Sequence, residues 1–197
     1  MKKEELTLLL HTGGFTLALD TNAISGGSNR FRSYTKIIQG IKNLNATAAA
    51  SGAPVCICAS ALAHMEVLFD LRQEFGSGYD PGVVSKGLID AGLAIQDFTE
   101  AHADKAAEYL GKSFGSADAW HTAKRETFLR CLGLNSAEHP ETGARRSCPA
   151  TLDWSIAAQA HAEGHVLVTD DKGAEFKQVQ RKVSVETVLE ALRDLVG

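Results

Sequence analysis

The sequence predicts an α/β protein with a central, mainly parallel sheet. Two observations carry that expectation. Short apolar runs with the composition of buried strands alternate along the chain with segments of helical periodicity, the pattern of successive strand–helix–strand units. Two of the apolar runs also stop abruptly at an acid, Leu19-Asp20 and Val168-Thr169-Asp170-Asp171. In an open parallel sheet, the carboxyl ends of the strands are where ligands bind.

The first strand is Phe15 to Leu19, closed by Asp20-Thr21-Asn22. Judged alone, Asp20 has the chemistry of a turn or helix cap. A loop by composition follows, Ser25-Gly26-Gly27-Ser28-Asn29. A helix is expected from about Arg32 to Asn45, with Tyr34, Ile37, Ile38, Ile41 and Leu44 on its apolar face and Arg30, Arg32 and Lys36 making its start basic. Pro54 to Ala59 reads as a second buried strand, in which Cys56 and Cys58 share a face and fill the core.

Ser60 supplies an N-cap for a helix from Ala61 to about Phe75, with Leu62, Met65, Phe69 and Leu71 on its apolar side and Glu66 set among apolar neighbours. After the break at Gly76 to Gly82 come a weak helix from Val84 to Leu93, a short strand at Leu93 to Ile95 and a helix from Ala101 to Leu110. Asp118 to Leu132 has helical patterning, and Asn135 to Pro149 is a long polar loop. The final third holds an alanine-rich helix from Thr151 to Ala162, a strand from His165 to Thr169, a short strand at Val183 to Val185 and a helix from about Glu186 to Leu195.

The length of 197 residues suits one well-filled core. An apolar fraction of 44%, a charged fraction of 22% and a net charge of −4 are those of an ordinary globular protein and exclude a surface coated in basic residues. A carboxylate cluster would lower that total while local basic patches still gripped nucleic acid. The cysteines have no zinc spacing and no export signal precedes them, so the expected setting is cytoplasmic with reduced thiols. No apolar run is long enough to span a membrane. His161 and His165 lack the glutamate of a zinc-protease motif, and Gly164 ends the helix between them.

The acids gain meaning as a set. Asp20 and Asp170/Asp171 close strands, Asp153 opens the helix before the second of these, and Glu66 lies on a helix that follows another strand. If the strands are parallel, all can meet at one edge of the sheet. Carboxylates crowded in a cleft repel strongly, and hard divalent cations with all-oxygen ligation relieve this.

Leu19-Asp20-Thr21-Asn22, Ser60 followed by Glu66, Asp153 to Ala160 and Val168-Thr169-Asp170-Asp171 together resemble PIN-domain ribonucleases, above all the VapC-like toxins of virulence-associated toxin–antitoxin pairs. The resemblance runs from Phe15 to Leu192 except for the stretch between Leu110 and Cys148. It implies a single PIN-like domain over residues 1–197 with a three-layer α/β/α fold and a helical and loop insertion at about 111–149. It further implies Mg²⁺- or Mn²⁺-dependent cleavage of RNA, a small antitoxin partner, and the homodimers common in that family. By position, Asp20, Glu66, Asp153 and Asp171 match the acids, with Asp170 as the alternative to Asp171 because a one-residue shift exchanges them. Thr21, Asn22 and Thr169 match supporting polar positions.

The insertion carries Lys124, Arg125, Arg130, Arg145 and Arg146, which either contact RNA phosphates or form an ordinary solvated surface. Trp120 and Trp154 are expected in the core rather than on bases. Two other readings compete. A haloacid-dehalogenase-type phosphatase also begins from an acid closing a strand, but needs a second Asp where Asn22 stands. A non-catalytic RNA-binding or scaffold protein would have no use for four filled acid positions.

Overall fold

The computed structural model describes residues 1–24, 28–48, 52–131 and 152–196. In chain order its elements are α1 (Lys3–Thr12), β1 (Thr16–Leu19), α2 (Thr21–Ile24), α3 (Ser28–Ala48), β2 (Cys56–Ser60), α4 (Ala61–Phe75), α5 (Pro81–Asp90), β3 (Leu93–Gln96), α6 (Glu100–Phe114), α7 (Ala117–Cys131), α8 (Leu152–Ala162), β4 (Val166–Val168), β5 (Lys182–Val183) and α9 (Val185–Val196). The strands form one sheet in the order β3-β2-β1-β4-β5, and every pairing is parallel. The α/β class with a parallel sheet is therefore as the sequence predicts.

Alternation along β1 divides the interior into two layers. Leu17 and Leu19 face one side, where Leu6 and Leu10 of α1, Ile37 and Ile41 of α3, and Val188 and Leu192 of α9 pack against them. Ala18 faces the other, beneath Tyr109 of α6 and Trp154, Ala157 and Ala158 of α8. Val166, Leu167 and Val168 of β4 are wholly buried, because helices cover both faces of the sheet.

Several local choices explain where elements start and stop. The Ser60 hydroxyl accepts from the N–H of Leu62 at 3.1 Å and starts α4 at the expected residue. Asp80 accepts from the N–H groups of Gly82 and Val83, and Pro81 fills the first turn, so α5 begins three residues before the expected Val84. Gly13 has φ +69°, and a Cβ there would stand 2.1 Å from the carbonyl oxygen of Ala53, so only glycine permits this crossing.

Four expectations are corrected. Lys3–Thr12 is a helix that buries Leu6 and Leu10, whereas the first element expected from the sequence is the strand at Phe15. Ser28 and Asn29 belong to α3 rather than to a loop, while residues 25–27 lie outside the described residues. Cys56 is exposed and only Cys58 is core. Met65 and Phe69 are 47% and 60% exposed, because α4 buries the small stripe of Ala63 and Val67 instead. The polar loop expected over Asn135 to Pro149 also lies outside the described residues.

Candidate active site

The register fixes the centre. Leu19 pairs with Ala59 of β2 on one side and with Val168 of β4 on the other. Asp20, Ser60 and Thr169 therefore leave three adjacent strands at the same level, on the carboxyl edge of the sheet. The N–H of Asp20 still donates to the carbonyl of Val168 at 3.1 Å, continuing the ladder by one bond.

The Asp20 carboxylate is buried, at 1% exposure, and held by three donors. The N–H of Thr21 donates to Oδ1 at 2.8 Å; the Thr169 hydroxyl donates to Oδ2 at 2.7 Å and the Asn22 amide at 2.9 Å. The same Asn22 nitrogen reaches Asp171 Oδ2 at 2.7 Å and Thr169 Oγ1 at 3.1 Å. Its carbonyl accepts from the N–H of Asp170 at 3.2 Å. Asn22 thus ties the end of β1 to the turn after β4.

That turn separates the two neighbouring acids. Asp171 lies against Asn22, and its N–H donates to Thr169 Oγ1 at 3.1 Å. Asp170 points away and accepts from the N–H of Val185 at 3.0 Å, capping the first turn of α9. Glu66, half-buried on α4, accepts a hydrogen bond from the Thr21 hydroxyl. Asp153 sits in the first turn of α8, where the helix dipole favours an anion, yet it is only 7% exposed.

The electrostatics show that these groups share one region. Burial raises the pKa of Asp20 to about 6, against the lowering pull of Thr169 and Thr21, and the charges of Asp171 and Glu66 add to the rise. Burial first, then the charges of Asp20, Glu66, Glu175 and Asp171, push Asp153 to about 8. Glu66 is raised by burial, eased by Thr21, and raised again by Asp70 and Asp171. Among the described residues, the ion pairs involve Asp194, Asp90, Glu163 and Glu108, so none of those cations pairs with Asp20, Glu66, Asp153 or Asp171.

Glu175 and Asp70 were not singled out in the sequence. Asp70 lies one helical turn beyond Glu66, a spacing that could have found it. Glu175 stands in a short helical turn after Asp171, and nothing in the local pattern announces its approach to Asp153.

An anionic, all-oxygen donor set with no balancing cation among the described residues fits a hard divalent ion such as Mg²⁺ or Mn²⁺, with water completing the shell. Among the described residues, however, no three His, Cys, Asp or Glu side chains stand close enough to enclose an ion as arranged. His161 and His165 are engaged elsewhere: His161 with the Tyr109 hydroxyl, and His165 with Cys58 Sγ at 3.7 Å.

Of the basic residues singled out between residues 111 and 149, Lys124 is half-buried with its ammonium 5.6 Å from the centroid of the Trp120 ring. The side chains of Arg125 and Arg130 and the whole of Arg145 and Arg146 lie outside the described residues. Trp154 is buried as expected, and Trp120 packs edge-on against it. Among the described residues no helix is long and apolar enough to cross a membrane.

No protein-family model matches the chain, and no curated protein sequence matches it. Among solved structures, a DNA-bound VapBC from Salmonella typhimurium is similar at 18% identity, with a TM-score of 0.48, over 87% of this chain and 99% of that one. The likeness is distant, and the chemistry of the site rests on the residues described above.

Proposed function

We propose that the chain is a metal-dependent ribonuclease that hydrolyses RNA phosphodiester bonds at the Asp20 edge of the sheet. The observation that carries this reading is the buried Asp20 carboxylate, within electrostatic reach of Asp171, Glu66 and Asp153 with no cation among the described residues to balance them. Burying uncompensated acids is costly unless the site serves a cation. When bound, Mg²⁺ or Mn²⁺ supplies Lewis acidity, which lowers the pKa of a water and offsets charge on the phosphate.

The protein's own part is orientation and proton bookkeeping. Thr21, Asn22 and Thr169 fix both oxygens of Asp20, so that ligand is set before anything binds. Thr21 also fixes Glu66, so one residue holds two acids, Asp20 through its N–H and Glu66 through its hydroxyl. Asp153, with its pKa near 8, keeps its proton at neutral pH in the metal-free protein and yields it when positive charge arrives. Asp171 belongs to this group by its bond to Asn22, whereas Asp170 serves the fold.

The resemblance of the motifs to PIN-domain toxins supports RNA as the substrate and a small antitoxin as partner, and makes a homodimer a reasonable assembly. The test is cleavage of total RNA in Mn²⁺ and in EDTA: cleavage only with Mn²⁺ supports the reading, and none in either contradicts it. A second reading, a non-catalytic RNA-binding protein, is favoured by the lack of a preformed three-acid enclosure among the described residues. Titration with Mn²⁺ separates the two, since that protein would bind RNA without carboxylate-dependent metal uptake.

A further inference from the structure

We propose that Lys124 grips a phosphate of the bound RNA strand away from the cleaved bond, mounted for that purpose on Trp120 and Trp154. The inference rests on the ribonuclease reading and adds to it a contact outside the acid cluster. It begins from an electrostatic difficulty: a cleft of four or more acids repels a polyanionic substrate. A cation fixed at the rim of such a cleft offsets that repulsion without neutralising the acids.

The aromatic cluster supplies the mount. Trp154 follows Asp153 directly on α8 and is buried, so the helix that carries one of the acids also fixes this indole. Trp120 of α7 meets Trp154 edge-on, with centroids 6.4 Å apart and planes at 78°. Phe114, at the end of α6, joins both rings, at 5.1 Å from Trp120 and 5.5 Å from Trp154. Lys124 lies one helical turn beyond Trp120 and rests its ammonium over that ring, 5.6 Å from the centroid. Lys124 makes no ion pair among the described residues, so no neighbouring acid among them offsets its charge. A cation–π contact holds an ammonium without cancelling its charge, so Lys124 keeps donors for a phosphate. Two indole rings separate it from Asp153, which places its target away from the reacting phosphate.

The competing explanation is that Trp120 and Lys124 merely staple their own helix. Binding of fluorescein-labelled oligouridylate to the Asp20→Asn protein, followed by anisotropy across a salt series, separates the two. Lys124→Gln in that background is expected to weaken binding about 3- to 10-fold and to reduce the slope of log affinity against log salt by about 0.7. Lys124→Arg should restore both. In the active protein, Lys124→Gln should raise KM far more than it lowers kcat.

Both tryptophans of the chain belong to this cluster, so an unchanged indole emission spectrum shows that α7 remains docked. Unchanged affinity and slope in a docked Lys124→Gln protein overturn the proposal, as does an equal loss in Lys124→Arg. If the wild type binds oligouridylate through Lys124 but cleaves no RNA, the phosphate contact stands and the ribonuclease reading falls. If it binds at no salt concentration, both fall.

Discussion

Asn22 donates one amide nitrogen to Asp171 at 2.7 Å, bridging positions 149 residues apart in the chain. The same nitrogen serves Asp20 and Thr169, so one side chain closes the carboxyl edge between β1 and the turn after β4. Replacing it removes a donor from two carboxylates at once. Asn22→Ala should destabilise the metal-free protein by about 1–3 kcal/mol in urea unfolding, the usual cost of leaving buried acceptors unpaired. Asn22→Asp should also destabilise it, by charge repulsion, but its thermal midpoint should rise more on adding Mn²⁺ than that of the wild type. An equal rise in both would mean that Asn22 does not adjoin the metal-binding acids.

The two neighbouring acids should separate cleanly. Asp170→Asn weakens the cap on Val185 and should cost about 0.5–2 kcal/mol of stability while RNA cleavage persists. Asp171→Asn should spare stability and lower cleavage by about 100-fold, the scale of losing a preorganised charge at a reacting centre. Unfolding curves and cleavage rates measured on both variants check the assignment; the reverse pattern would exchange their roles.

Metal-free stability should fall as pH rises. Asp20 and Asp153 have folded pKa values of about 6 and about 8, above the ordinary 3.8. Between those limits the folded state binds more protons than the unfolded state, so unfolding becomes easier with rising pH. Their contribution is fully present below pH 3.8 and is progressively lost through pH 6 and pH 8. A divalent cation replaces the lost protons, so the Mn²⁺-induced rise in thermal midpoint should be larger at pH 8 than at pH 6. Thermal scans with and without Mn²⁺ at both pH values measure this; a larger rise at the lower pH would contradict it.

Away from the site, α3 and α9 pack closely at Gly40, where a Cβ would come within 2.9 Å of Leu192 Cδ1. Gly40→Ala should therefore destabilise the fold by about 1–3 kcal/mol through overpacking, despite alanine's better helix propensity. Urea unfolding reads the balance, and a stabilised variant would show that Leu192 moves aside freely.

The alternation of elements is legible in the sequence because β1, β2 and β4 are apolar runs, and Asp20, Ser60 and Thr169 mark their ends. Helix α4 is legible from the Ser60 cap, but its orientation is not. Met65 and Phe69 suggest a buried face, while the space beneath the helix admits only the smaller Ala63 and Val67. Helix α1 escapes notice because its buried pair, Leu6 and Leu10, is hidden among Thr7, Leu8 and Leu9, and its partner α9 lies at the far end of the chain. At the site, the strand-ending acids are visible as residues. The turn that sends Asp171 toward Asn22 and Asp170 toward Val185 depends on contacts 149 and 15 residues away, which no local pattern encodes.

The central claim is that Asp20 anchors a metal-dependent hydrolytic site. The most direct measurement compares RNA cleavage in Mn²⁺ by the wild type and by Asp20→Asn, with circular dichroism confirming that both are folded. The account predicts cleavage by the wild type that EDTA abolishes, and a loss of at least about 100-fold in Asp20→Asn. Undiminished cleavage by a folded Asp20→Asn protein would contradict it.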